Sequence, residues 1–382
     1  MKLKKIIIGC NLTVLLVILV AGFYPFDFKP GNKVHRLKNN GIVMRGNGIL
    51  YEPNDKTNPG LLSHMSNKNT FTIEFSVKPY QATANRLSCI LCFYDDIDPE
   101  LLMIAKWRSE LILRRRIVQQ DGSYSYHEVS VPDLLFTDQN SFISIILGRE
   151  GTSIYCDGAK KAFFPKYNLD HARQFFNNSR IILGNEPRVK VPWDGEIIGL
   201  AIYNRTLNDE EVSKHYEIWK NRNHESLSKD KGLIALYPMN EGSGSTVRNI
   251  ITKQNNLKIP SILFALKKSV LSKPWIGYRH FKKFYQDLII NVLGFIPVGF
   301  FVLALFVSMY QKYVMKFLIF TIVIGSITSL TIELIQVYMP ARTSSITDLA
   351  CNILGTILGV ILFHIAYSHY RPKMKKTGLI RF

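Results

Sequence analysis

Four long apolar runs decide what this chain can become. They extend from Ile6 to Tyr24, Leu288 to Met309, Phe317 to Met339 and Ile346 to Ala366. Each approaches the ~20 residues that a helix needs to cross ~30 Å of hydrocarbon, so the chain is expected to span a membrane about four times. Between the first two runs lies a long polar segment, and this segregation explains how 47% hydrophobic and 20% charged residues coexist in 382 residues.

Charge sets the expected orientation. The basic start MKLKK, then Lys312 and Lys316, then Arg371, Lys373, Lys375, Lys376 and Arg381 all fall on one side of a four-span topology, the cytoplasmic side. Arg279, Lys282 and Lys283 lie on the other side, after a domain long enough to be translocated regardless of its charge. The first run reads as a retained anchor. The alternatives are a signal peptide cut near Val20 to Gly22, or a lipoprotein box at Ile7, Ile8, Gly9 and Cys10.

The formal charge of +19 is not read as a nucleic-acid signal. Between Pro25 and Tyr285 there are 37 Lys and Arg against 26 Asp and Glu, a balance of +11 facing the anionic polymers and lipids of an envelope. The five cysteines make no disulfide framework. Cys89 and Cys92, three apart in a strand-like run, are expected on opposite faces and so are not expected to share a metal.

From Phe71 to Ile202 the pattern is that of strands: FTIEFSVKP, LLMIAKW, ELILRRRI and FISIILGREGTSIYCDGAKKAF are alternating or apolar runs punctuated by Gly and Pro. One helix candidate, LNDEEVSKHYEIWK, follows, with Asn208 as N-cap and Glu211 at the capping-box position. An all-β jelly-roll sandwich plus an α-helical membrane bundle is therefore expected. FTIEFSVKP, SIYCDGAKKAF and WDGEIIGLAIYNRTLNDEEVSKHYE resemble the laminin G and concanavalin A-like jelly-roll superfamily over roughly Phe71 to Trp219. The resemblance implies a module that binds carbohydrate or protein. The acidic loop with Asp95, Asp96, Asp98 and Glu100 suits calcium by oxygen chemistry but matches no complete ligand set, so it reads first as a solvated loop with no cofactor required.

The membrane runs carry polar residues at helical spacing. Asp287 and Asn291 are four apart; Ser329, Glu333 and Gln336 follow i, i+4, i+7; Asp348, Asn352, Gly355 and Gly359 share one face, and Arg342 sits in the turn between the last two runs. An acidic side chain at a helix centre costs about 2.5 to 3.5 kcal/mol on insertion scales, so Glu333 is expected inside the bundle and partnered. Glue between helices is the plain alternative, because polar pairs across membrane helices average only about 0.6 kcal/mol. Trp275, Tyr278, Phe281 and Tyr285 read as an interfacial collar.

The YPFDF run, D-x-x-x-N-x-x-x-F-x-P-x-G from Asp287, E-x-x-Q at Glu333, then Arg342 and D-x-x-x-N-x-x-G-x-x-x-G from Asp348 resemble the VanZ-like family of polytopic bacterial membrane proteins. The resemblance implies a first span at 1–28, an inserted extracytoplasmic jelly roll at 29–272 and a three-span unit at 273–382, in the cytoplasmic membrane. The family's namesake is associated with teicoplanin resistance. The resulting expectation is an envelope protein whose jelly roll docks a glycan or protein. Its membrane pocket, lined by Asp287, Asn291, Ser329, Glu333, Gln336, Arg342, Asp348 and Asn352, is expected to bind an envelope precursor or lipid headgroup, Arg342 facing a phosphate or carboxylate. An enzyme using Glu333 or Asp348 as general base on a lipid-linked substrate is the first alternative, though no nucleophile and base pair or phosphate loop is visible. A structural scaffold is the other.

Overall fold

The computed structural model describes residues 2–38, 40–54, 60–62, 70–80, 86–96, 98–118, 124–168, 179–272, 281–310 and 315–376. Two compact units result: Met1–Phe28 with Lys268–Phe382, and Lys29–Lys267.

The second unit is a two-sheet sandwich. One sheet has the order β1 (Val34–Arg36), β2 (Ile42–Arg45), β13 (Asp194–Tyr203), β4 (Phe71–Pro79), β9 (Ser141–Leu147), β10 (Thr152–Cys156), β11 (Ala159–Phe164), with β14 (Leu233–Tyr237) also on β13. The other has the order β15 (Thr246–Val247), β16 (Leu257–Lys258), β3 (Leu50–Tyr51), β12 (Arg180–Leu183), β5 (Ser88–Tyr94), β6 (Leu102–Trp107), β7 (Glu110–Val118), β8 (Tyr124–Val131). Alternation explains the core: Phe71, Ile73, Phe75 and Val77 of β4 meet Leu91, Phe93, Ile104 and Leu113 of the facing sheet. In β13 a bulge between Ile197 and Gly199 resets the alternation, which is why Ile197, Leu200 and Ile202 all reach the same core. The β10–β11 hairpin turns through Asp157 and Gly158, both at positive φ, the geometry that a two-residue turn between twisted strands requires.

Helix α2 (Asp209–Lys220) covers the outside of the first sheet. It starts in a full capping box between Asn208 and Glu211, and it buries Val212, His215 and Trp219. His215 sits between two carboxylates: its Nδ1 is 3.0 Å from Glu74 on β4 and its Nε2 2.9 Å from Asp230. Ser144 and the Trp219 indole also donate to Glu74, at 3.2 and 3.4 Å. Burial opposes charge on His215, but Glu74 and then Asp230 outweigh it and hold its pKa above the usual imidazole value.

The structure corrects one expectation here. A bulge between Cys89 and Leu91 shifts the register of β5, so Cys89 and Cys92 lie on the same face, in one buried cluster with Met103 and Ile182. Both thiols are fully buried, and that of Cys92 faces the carbonyls of Phe93 and Pro99 at 3.6 and 3.7 Å. Among the described residues no His, Cys, Asp or Glu group is arranged to hold a metal ion.

The other unit is helical: α1 (Lys2–Phe23), α3 (Phe281–Tyr310), α4 (Met315–Gln336) and α5 (Ile346–Lys376). All four are long and apolar enough to cross a membrane. Ile18 of α1 packs with Phe295 and Val298 of α3 and Ile332 of α4, and the Asn11 amide donates to the Phe301 carbonyl at 2.9 Å. Helices α3 and α5 meet backbone to backbone, since a Cβ at Gly355 or Gly359 would run into the carbonyls of Val292 or Ile296. Helix α4 stops at Gln336 rather than at Met339, because Pro340 follows and Lys268 takes over the freed carbonyls. Of the aromatic collar, Tyr285 is exposed, the Phe281 side chain is not described, and Trp275 and Tyr278 lie outside the described residues.

Candidate functional site

The polar residues of α3, α4 and α5 gather around the turn 337–345. The ammonium of Lys268 donates to the carbonyls of Gln336, at 3.0 Å, and of Met339, which closes the end of α4. Ser345 is the N-cap of α5: its Oγ accepts from the backbone N–H of Thr347 at 3.1 Å and of Asp348 at 3.4 Å. In a capping box the acid three residues on would return a bond to the cap's own N–H. Here Glu333 of α4 does so instead, its Oε2 accepting from Ser345 N–H at 2.7 Å. The Ser344 hydroxyl is near enough to act on Glu333, whose residue is only 2% exposed.

Asp348 is thereby released from capping. Its carboxylate faces α3, where the Asn291 amide and the charge of Asp287 are near enough to act on it. Asp287 itself is exposed. One turn further along α5, Asn352 donates Nδ2 to Ser329 Oγ at 2.9 Å, and both residues are buried. Asn352 Oδ1 is buried without a hydrogen-bond partner among the described residues. Thr356, fully buried, packs against Gly325 below this pair.

Two of the expected residues turn elsewhere. Gln336 donates Nε2 to the Gly22 carbonyl at 2.9 Å. Arg342 donates Nε to the Tyr24 carbonyl at 3.1 Å and a terminal nitrogen to the Ala21 carbonyl at 2.7 Å. Both therefore close the C-terminal end of α1, where backbone carbonyls are left without helical partners and the helix dipole is negative. The guanidinium is held by carbonyls, although its charge still acts on Glu333 and Asp348.

Sequence reasoning missed Ser344, Ser345 and Lys268. The spacing Ser345-x-x-Asp348 before an apolar run was the available signal for the first helical turn of α5. Leu271 and Ser272 also belong to this turn. Leu271 N–H donates to Ser344 Oγ at 3.1 Å, and Ser272 donates to the Ser344 carbonyl from N–H and Oγ at 2.9 and 2.7 Å.

The acidic loop between β5 and β6 is engaged by side chains of its own unit. Asp96 pairs with Lys267 at 2.9 Å, Asp98 with Arg116 at 3.1 Å, and Asp95 accepts from the Asp98 N–H at 2.5 Å.

Fold and site together define a membrane protein with four long apolar helices among the described residues, which carries an antiparallel sandwich between the first and second of them. Residues 216–367 match the family model VanZ/LLP1, and residues 55–213 match the concanavalin A-like lectin/glucanases superfamily. The chain is thus VanZ-like in its membrane unit and concanavalin A-like in its sandwich; the first match opens inside α2 and also runs over the last strands of the sandwich. No curated protein matches the chain.

Solved structures that resemble the sandwich include the Ruminococcus gnavus IT-sialidase CBM40 bound to alpha2,3 sialyllactose, at 13% identity and a TM-score of 0.37, covering 46% of this chain and 96% of that one. A putative carbohydrate binding protein from Bacteroides ovatus shares 11% identity, with a TM-score of 0.38, over 61% of this chain and 59% of that one. The botulinum neurotoxin serotype G binding domain shares 17% identity at a TM-score of 0.36 over 51% of this chain; the chain spans about half its length, 47%.

Proposed function

We propose that this is a bacterial cell-envelope protein of the cytoplasmic membrane, with the amino terminus inside and the sandwich outside. The sandwich docks a glycan, and the group formed by Glu333, Asp348 and Asn291 holds the polar headgroup of an envelope precursor or lipid close to the outer surface. The supporting observation is the convergence of carboxylates from two spans and an amide from a third on one turn. Ionisable groups within spans are expensive, and glue between helices needs amides or hydroxyls rather than acids. In this reading Arg342 and Gln336 fasten α1 to the site, and Ser329 with Asn352 sets the helix spacing beneath it.

Glu333→Gln and Asp348→Asn test the reading. Both keep the size of the side chain and remove the charge. Expected are normal abundance in the membrane, at least a tenfold loss of binding to labelled lipid-linked envelope precursors or phospholipid headgroups, and an altered envelope phenotype, with teicoplanin susceptibility as the first to measure. Wild-type binding and phenotype in both variants at normal abundance would reject a headgroup site and leave these residues as structural.

A further inference from the structure

The outer face of β7 and β8 carries planar polar side chains that the membrane reading leaves unused. Register places Arg114 opposite Glu128 and Arg116 opposite Tyr126, so Arg114, Arg116, Tyr124 and Tyr126 share the face turned away from the sandwich core. The guanidinium of Arg116 lies 4.1 Å from the centre of the Tyr124 ring, and that of Arg114 lies 5.0 Å from that of Tyr126. The two rings meet edge to face at 5.4 Å. All four side chains are half-buried and stand on regular strands rather than loops.

The β5–β6 loop braces this group with two acids. Arg116 pairs with Asp98 at 3.1 Å, the Tyr126 hydroxyl donates to Glu100 at 3.2 Å, and Arg114 holds Glu128 at 2.6 Å. A solvated sheet face needs no more than surface ion pairs, worth about 0 to 1 kcal/mol each. Here Asp98 and Glu100 are drawn to 6% and 8% exposure, and Arg116 Nε and Glu100 Oε1 are buried without hydrogen-bond partners among the described residues. Taking ions out of water costs several kcal/mol apiece. A rigid polar arrangement kept at such a cost is the signature of a binding site more than of a stabilising one.

Its chemistry selects the ligand. The guanidinia of Arg114, Arg116 and the nearby Arg188 stand against the carboxylates of Asp98, Glu100, Glu128 and Glu186, so these groups offer no net positive field for an acidic ligand. The face offers tyrosine edges and faces for apolar C–H surface, with forked donors and acceptors alongside for paired hydroxyls. We propose that the outer face of β7 and β8 binds an uncharged pyranose glycan, with Tyr124 and Tyr126 lying against the ring and Arg114 and Arg116, oriented by the acids, meeting its hydroxyls. This rests on reading the sandwich as a glycan-docking module and adds to it a place and a class of sugar.

The test is calorimetric titration of the full chain in lipid nanodiscs with uncharged tetrasaccharides of glucose, mannose, galactose and N-acetylglucosamine, and with a hexuronate tetramer. One uncharged tetramer should bind. Tyr126→Ala should weaken it at least tenfold, and Arg116→Lys at least fivefold, since an ammonium does not reproduce the planar fork. Should Tyr126→Ala fail to fold, Tyr124→Leu and Arg116→Lys decide, with the thermal midpoint as the fold check. Unchanged affinity in folded variants would put the sugar elsewhere and leave glycan docking standing. Tighter binding of the hexuronate than of every uncharged tetramer would overturn the class. No binding by any tetramer would overturn both this site and the glycan-docking reading.

Discussion

Replacing His215 with leucine removes the centre of a buried charge network, and the contacts set the size of the effect. Glu74 is fully buried, and among the described residues its carboxylate would keep only the Ser144 hydroxyl at 3.2 Å and the long Trp219 bond at 3.4 Å. Removing one partner of a buried pair costs about 3 to 5 kcal/mol. The Asp230 half adds at most ~1 kcal/mol, because screening weakens a carboxylate whose side chain is 29% exposed. At roughly 2 to 4 °C per kcal/mol for a domain of this size, a total loss of about 3 to 6 kcal/mol should lower the midpoint of the sandwich by about 6 to 24 °C. The double variant Glu74→Leu with His215→Leu should recover most of that loss, since an apolar replacement leaves no buried charge stranded. The pH dependence has a definite sign. The folded state holds the His215 proton more tightly than the unfolded chain, whose value is about 6.5, so the contribution is complete below that pH and is lost as pH rises through the folded-state value. Tryptophan fluorescence melts of the detergent-solubilised chain at pH 5 and pH 8 measure both effects. A single variant within about 1 kcal/mol of wild type at pH 5, or a double variant as damaged as the single, would refute the reasoning.

Glu52, whose carboxyl burial pushes up to about 7 despite bonds from Asn255 and Leu61, must stabilise the fold less as pH rises from about 4.5 to 7; Glu52→Gln should raise the midpoint at pH 8 and leave it unchanged at pH 4, in the same melts. Gly359→Ala puts a methyl against the Ile296 carbonyl, so α3 and α5 must separate; a loss of about 1 to 3 kcal/mol is expected in detergent unfolding, without effect on the sandwich transition. Arg342→Ala frees the Ala21 and Tyr24 carbonyls, so a single cysteine at Phe26 should be alkylated several-fold faster, whereas an unchanged rate would deny that Arg342 fastens α1.

Side-chain patterns made the architecture legible. The four spans, the alternation of β4 and the capping box at Asn208 are written in residue types, and the structure has each of them. The helical stripes likewise put Asn291, Glu333, Asp348 and Asn352 on the faces that meet between α3, α4 and α5. What the sequence hid is backbone. Glu333 answers to a Ser345 N–H, Gln336 and Arg342 to carbonyls of α1, and Lys268 to carbonyls of α4; a peptide group has no letter of its own. The shared face of Cys89 and Cys92 was hidden for the same reason, because a bulge changes strand register without changing any residue.

The turn 337–345 receives the chain twice, once where α1 ends under Arg342 and again where it returns at Lys268 and Ser272. An excursion that departs from and comes back to a single hub places no demand on helix spacing, whatever its length, and loop-closure entropy grows only slowly with the residues enclosed. The bundle is therefore built like a socket. Cutting out the β-domain and joining Lys29 to Lys267 through a short flexible link should leave the four helices packed as they are, and a different cargo domain should fit the same fixture.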